Sequence, residues 1–162
     1  MLRETNIFKS ITHNFDVWHM ARNLNKRLTK LTKKFPELEQ FRISILNHFW
    51  YSCQSCGGNA EVLIERFHSC LLHTCNIHAW NEDPFNDLKE ERAKKRKTKK
   101  KKGNCSTKTY PHFSVVRKCA HSRTIKSRRL KGMQWLSIGS EVLKALFNVL
   151  TDTQYSNNLT KM

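Results

Sequence analysis

Apolar residues recur at helical spacing in three successive stretches of the first half of the chain. From Asp16 to about residue 34 they return every three or four positions, with Lys and Arg between them, which predicts an amphipathic helix with a basic outer surface. Pro36 can begin a second helix, which the glycines at 57–58 end. Asn59 is a good cap for a third helix that should run to about residue 77.

The pattern changes at residue 81. Residues 81–109 are first acidic and then rich in Lys and Arg, which predicts a disordered linker, because such a segment cannot bury enough apolar surface to order. Ser140 caps a final helix, and the polar sequence after Thr151 should fray. We therefore expect a mainly α-helical bundle with at most one or two short strands. Its parts would be a short strand at 1–15, a three-helix region at 16–80, the lysine-rich linker at 81–109, and a basic segment with the C-terminal helix at 110–162.

The net positive charge of the chain indicates the kind of partner to expect. The 162 residues include 30 Lys and Arg against 13 Asp and Glu, a net charge of +17, which favours a polyanion such as DNA. No apolar run approaches the roughly 18–20 residues needed to cross a bilayer, and the N-terminus lacks the apolar core of a signal peptide, so no membrane partner is expected. The six cysteines are then expected to be reduced thiols or metal ligands in an intracellular protein.

An acidic residue stands where a β-prone segment gives way to the first helix. Asp16 is followed by Val-Trp-His, then Ala-Arg and a helix rich in Lys and Leu. A carboxylate in this place suits Mg²⁺, although Asp is equally a good helix cap. Other motifs follow in order: Ile45-Leu46-Asn47-His48-Phe49-Trp50, Gly58-Asn59, His73-x4-His78 with Trp80, His112-Phe113, Cys119-Ala120-His121 and Gly139-Ser140-Glu141.

This ordered series resembles transposon-derived RNase H-like proteins, an animal group distantly similar to Mutator-like transposases with a helical insertion in the nuclease fold. The resemblance implies that Asp16 is a remnant of a catalytic metal site. The family's first Asp would lie upstream of Met1, and its last acidic residue beyond Met162. Two-metal chemistry needs several converging carboxylates, so we expect a catalytically incomplete fragment, with Mg²⁺ bound only in an intact parent enzyme.

Cysteine and histidine are dense between residues 53 and 78, and more follow the linker. Structural zinc takes four sulfur or imidazole ligands, usually from two short-spaced pairs. The resemblance favours His73 and His78 with Cys119 and His121, which would join the third helix to the segment beyond the linker. Residues five apart on a helix point about 140° away from each other, so the helix would have to end between the two histidines.

A competing zinc site would use Cys53 and Cys56 at the end of the second helix, together with His68 or Cys70. The simplest alternative needs no metal, since Cys53 and Cys70 lie on apolar stripes and free cysteine is often buried.

Two basic groups suggest roles outside catalysis. Lys94, Lys95, Arg96 and Lys97 resemble a nuclear import signal, or form part of a solvated insert of no consequence. A second group lies near aromatic residues, which suits nonspecific contact with phosphates and stacking on unpaired bases. Its members are Arg117, Lys118, Arg123, Lys126, Arg128 and Arg129.

Three functional hypotheses follow. The first is a catalytically incomplete transposase fragment that associates with nucleic acid in the nucleus. The second is a small basic module that binds zinc or another protein, without transposase ancestry. The third is a decayed reading frame with no selected function. No nucleophile elbow and no phosphate-binding loop is present in the sequence, so independent enzymatic activity is not expected.

Overall fold

A computed structural model describes residues 16–97, 111, 113–119 and 134–161. These residues are mainly α-helical, which confirms the predicted fold class, and their only β-structure is an isolated antiparallel bridge between Ala79 and Lys118. The strand predicted at 1–15 lies outside the described residues. The helices are α1 (Val17–Lys34), α2 (Glu39–Ser55) after a 3-10 turn (Pro36–Leu38), α3 (Ala60–His68), α4 (Cys70–Thr74), α5 (Asn86–Lys97), α6 (Glu141–Leu150) and α7 (Thr153–Leu159).

Helix α1 begins and ends where the sequence predicts. The Oδ1 atom of Asp16 accepts a hydrogen bond from the backbone N–H of Trp18 at 2.8 Å, which caps the first turn. At the other end Pro36 begins the 3-10 turn, after Phe35 has left helical geometry. The inner side is buried against α2 and α6, and it consists of Met20, Ala21, Leu24 and Leu28.

Helices α2 and α3 form an antiparallel pair around aromatic residues. The rings of Phe49 and Phe67 meet edge to face with centroids 5.4 Å apart, an arrangement that suits their quadrupoles. Gly57 and Gly58 have φ angles of 59° and 77°, a region that glycine enters without a steric penalty, and there the chain leaves α2. Asn59 then caps α3 by accepting hydrogen bonds from the next backbone N–H groups, as predicted.

The third predicted helix is shorter than expected. It is interrupted at Ser69, whose hydroxyl donates to the carbonyl oxygen of Arg66 at 2.7 Å, and α4 then ends at Thr74. Serine side chains that bond to nearby backbone groups compete with the regular helix ladder. The chain turns at Asn76, which has a φ of 58°. The helical segment therefore ends between His73 and His78, which is the condition that a zinc site shared by these two residues requires.

The prediction of a disordered linker at 81–109 is wrong for its first part, because α5 occupies Asn86–Lys97. Phe85 and Leu88 are buried in the core. Their packing against the rest of the protein stabilises a helix whose sequence is otherwise strongly charged. Asp83 accepts a hydrogen bond from the backbone N–H of Phe85 at 2.9 Å and pairs with Lys89. Residues 98–109 lie outside the described part of the chain.

The end of the chain also corrects the prediction, since residues after Thr151 form α7 and do not fray. Asp152 caps this helix, while Tyr155 and Leu159 are buried. The Tyr155 hydroxyl donates to the carbonyl oxygen of Met20 at 3.1 Å, so the last helix is bound to the first. Among the described helices, none combines the length and the apolar character needed to cross a membrane.

Candidate metal centre

Three of the four predicted zinc ligands lie together. One ligand atom from each of His73, His78 and Cys119 can be chosen so that all three are within 4.8 Å of one another, and all three residues are partly buried. The fourth predicted ligand, His121, lies outside the described residues. Segments about 40 residues apart in sequence therefore meet at one point with nitrogen and sulfur donors.

The local backbone explains this meeting. His73 lies in the last turn of α4, and the turn at Asn76 reverses the chain. The bridge between Ala79 and Lys118 then fixes the register of the two segments. Because the N–H of Cys119 donates to the carbonyl oxygen of His78 at 3.0 Å, the two ligand residues are directly opposite each other.

The distance between two of the ligand atoms suits a tetrahedral zinc ion. Zinc bonds of about 2.0–2.1 Å to nitrogen and 2.3 Å to sulfur put tetrahedral ligand atoms about 3.3–3.7 Å apart. The Sγ atom of Cys119 is 3.5 Å from Nδ1 of His78. The other ring nitrogen of His78 is 3.1 Å from Oδ1 of Asn76, and a proton shared there leaves the Nδ1 lone pair to face a metal.

A buried carboxylate holds the segment that carries Cys119. The Glu65 side chain, only 3% exposed, accepts hydrogen bonds from the backbone N–H groups of Ser114, Val115 and Val116 and from the Ser114 hydroxyl, at 2.6–2.9 Å. Trp80 adds a bond from its indole N–H to the Val116 carbonyl oxygen at 2.9 Å. Burial by itself would raise the pKa of the Glu65 carboxyl, but these hydrogen bonds together lower it below its ordinary value of 4.5.

Sequence reasoning missed Glu65. A signal was present, because Glu65 is the only acidic residue between positions 62 and 72, a stretch rich in apolar residues. A carboxylate in such a place is buried and must find donors, but the sequence does not say that the donors lie some 50 residues away.

The competing cysteine pair is not part of a comparable cluster. Among the described residues, no group of three potential ligands includes Cys53 or Cys56. Burial, with a smaller contribution from Cys56, raises the pKa of the Cys53 thiol to about 11, which disfavours the thiolate that binds metals. His68 and Cys70 are buried in the core, where burial lowers the pKa of His68 to about 3.

Asp16 lies at the N-terminus of α1, exposed to solvent. Its second carboxylate oxygen is 3.2 Å from Nδ1 of His19, and within the described ranges no group of three potential metal ligands includes it. The observed role of Asp16 is therefore to cap α1.

The predicted basic groups are only partly described. Arg117 and Lys118 are exposed beside the bridge, and the guanidinium of Arg117 donates to the carbonyl oxygen of Asn81 at 2.8 Å. The other four members of that group, Arg123, Lys126, Arg128 and Arg129, lie outside the described residues. Lys94 is exposed near the end of α5, whose backbone is described as far as Lys97.

In comparisons with known proteins, no family model, no curated protein and no solved structure matches this chain. The resemblance to transposon-derived proteins therefore stays a prediction.

Proposed function

We propose that this chain is a non-enzymatic, basic helical module that is cross-linked by zinc and associates with nucleic acid in the nucleus. The observation that carries the proposal is the cluster of His73, His78 and Cys119. Imidazole and thiolate donors suit zinc better than they suit Mg²⁺ or Ca²⁺, which prefer oxygen. His121, two residues beyond Cys119, is the proposed fourth ligand and would close the coordination shell as in structural zinc sites.

The zinc content of the purified protein tests this proposal. We expect about one zinc ion per chain, and its loss in the double variant His78→Ala/Cys119→Ser, because two ligands cannot hold the ion. Elemental analysis after gel filtration gives the ratio. The matched control is Cys53→Ser/Cys56→Ser, which should keep its zinc. Zinc retained by the first variant and lost from the second would show that Cys53 and Cys56 bind the ion instead. Folded wild-type protein without metal would refute the proposed zinc site.

Charge supports the nucleic-acid part of the proposal. The excess of positive charge would draw a polyanion towards the chain at low salt. We further propose that the module derives from the helical insertion of an RNase H-like transposase, with Asp16 as a catalytic remnant. That origin is supported by the motif order in the sequence, and by the position of Asp16 directly before α1.

Nuclear accumulation should depend on the basic group at the end of α5. Replacing Lys94, Lys95, Arg96 and Lys97 by Ala in a fluorescent fusion should shift the protein from the nucleus to the cytoplasm, since import receptors read clustered positive charge. A fusion large enough to prevent passive diffusion makes the ratio of nuclear to cytoplasmic fluorescence informative. The control removes four positive charges that belong to neither proposed basic group, with Lys9, Lys34, Lys108 and Lys161 replaced by Ala. Equal nuclear accumulation of both variants would contradict the import signal.

A further inference from the structure

The solvent side of α1 carries an uninterrupted row of positive charge. Its members lie within about 80° of arc and extend over about 16 Å of helix axis, from 3.6 residues per turn and 1.5 Å per residue. They point away from the buried side of the helix, and all are exposed. We call this surface the basic face of α1, and it consists of Arg22, Lys26, Lys30 and Lys33.

No acidic residue neutralises the basic face of α1 among the residues that the structure describes. The helix itself contains neither Asp nor Glu. Ion pairs occur elsewhere in the described part of the chain, and Arg27, at the side of the same helix, pairs with Asp152 at 3.6 Å. None of the ion pairs found within the described ranges involves a member of the basic face. Four adjacent uncompensated charges attract a polyanion.

An exposed tryptophan continues the row at its N-terminal end. The ring of Trp18 is 53% exposed, one helical turn before Arg22, whose guanidinium carbon lies 5.3 Å from the ring centroid. A large apolar ring left in water beside cations is the arrangement with which proteins stack on unpaired bases while holding the phosphates. In a duplex the bases are already stacked on each other, so an aromatic platform favours a single strand.

A membrane surface fits this face less well. A helix that lies in the bilayer interface needs an extended apolar side, and the apolar side of α1 is buried against α2 and α6. Trp18 alone, at one end of the row, would be left to insert.

We propose that the basic face of α1, together with Trp18, binds single-stranded nucleic acid. The Lys and Arg side chains contact successive phosphates along the helix, and the Trp18 ring stacks on one unpaired base. This inference rests on the proposed association with nucleic acid and names its surface and its ligand class. None of its residues belongs to the basic group around Arg117 that the sequence singled out.

Binding of the full chain to a fluorescent 20-nucleotide oligothymidylate, followed by anisotropy, tests this surface. Glutamine at all four positions of the basic face keeps helix propensity and removes the charge. Because four cations then no longer neutralise phosphates, the slope of log K against log salt should become about 2.8 less negative, and affinity at 0.1 M salt should fall at least tenfold. Trp18→Ala should weaken binding by about 5- to 150-fold, with partial rescue by Trp18→Phe, and should leave binding to a 20-base-pair duplex unchanged.

The matched control carries glutamine at Lys99, Lys100, Lys101 and Lys102, which removes the same net charge and should cost less than threefold. Circular-dichroism melts confirm that the surface variants fold. Wild-type protein that binds no oligonucleotide would overturn both this inference and the proposed nucleic-acid association. Binding that survives the basic-face variant but is lost with Arg117 and Lys118 replaced by Gln would overturn this inference alone. If the protein binds anionic phospholipid vesicles more tightly than the oligothymidylate, and Trp18→Ala abolishes that binding, the basic face of α1 is a membrane-binding surface.

Discussion

Chelating zinc from the purified protein should lower the midpoint of thermal unfolding by about 8–16 °C. A ligand present at a thousand times its dissociation constant stabilises the folded state by about 4 kcal/mol. In a chain of this size each kcal/mol corresponds to about 2–4 °C. The ion would join the end of α4 to the segment that carries Cys119, a link between positions about 40 residues apart. Circular dichroism, recorded with and without EDTA in the presence of micromolar zinc, measures the shift.

Two variants make this expectation specific. His78→Ala/Cys119→Ser should melt in zinc where the chelated wild type melts, and EDTA should leave its midpoint unchanged. Cys53→Ser/Cys56→Ser should keep the full response to EDTA, since in the described residues neither thiol belongs to the cluster of His73, His78 and Cys119. If the wild-type midpoint is the same with and without chelator, zinc does not stabilise the folded protein and the expectation is wrong.

Replacing Glu65 by Gln should destabilise the protein by about 3 kcal/mol. The carboxylate accepts four hydrogen bonds from residues 114–116, and a bond to a charged group contributes about 1.5–3 kcal/mol, so the expected loss corresponds to one or two of the four. Glutamine offers one carbonyl oxygen, and its NH₂ group would face backbone N–H donors. Urea unfolding measures the change. Glu61→Gln, on an exposed position of the same helix, is the control and should alter stability by less than about 0.5 kcal/mol.

The same substitution should weaken zinc binding, because the segment held by Glu65 also carries Cys119. The Glu61→Gln control should bind zinc like the wild type. Glu65→Gln protein that is as stable as the wild type, with the same zinc affinity, would show that the carboxylate does not position the segment.

Acid should destabilise the protein by protonating Glu65. The pKa of Glu65 is lower in the folded protein than its ordinary value of 4.5, so its contribution is complete above that pH and is lost as pH falls through the folded pKa. We therefore expect wild-type stability to decrease on acidification below about pH 4.5, and the decrease to be shallower in Glu65→Gln. An identical slope in both proteins would assign the acid sensitivity to other carboxylates.

The sequence and the structure agree best where a signal is local. Asp16, Pro36 and Asn59 mark helix ends because capping and the missing proline N–H act within one turn. They agree least where a few apolar residues depend on distant partners. Phe85 and Leu88 lie in a charged part of the sequence and Tyr155 in a polar part, so the pattern did not predict their burial. Each of them is buried in the core.

The sequence by itself determined that this chain is mainly helical, strongly basic and supplied with His and Cys at zinc-like spacings, because periodicity, charge and spacing need no knowledge of neighbours. It also named the three residues that meet, through a resemblance that stays a prediction. Only the tertiary structure decided that they do meet, that Glu65 holds the second segment beside the first, and that the basic face of α1 has no acidic partner in the described part of the chain. Those outcomes depend on contacts across many residues, and a linear pattern does not record which distant groups the folded chain brings within bonding distance.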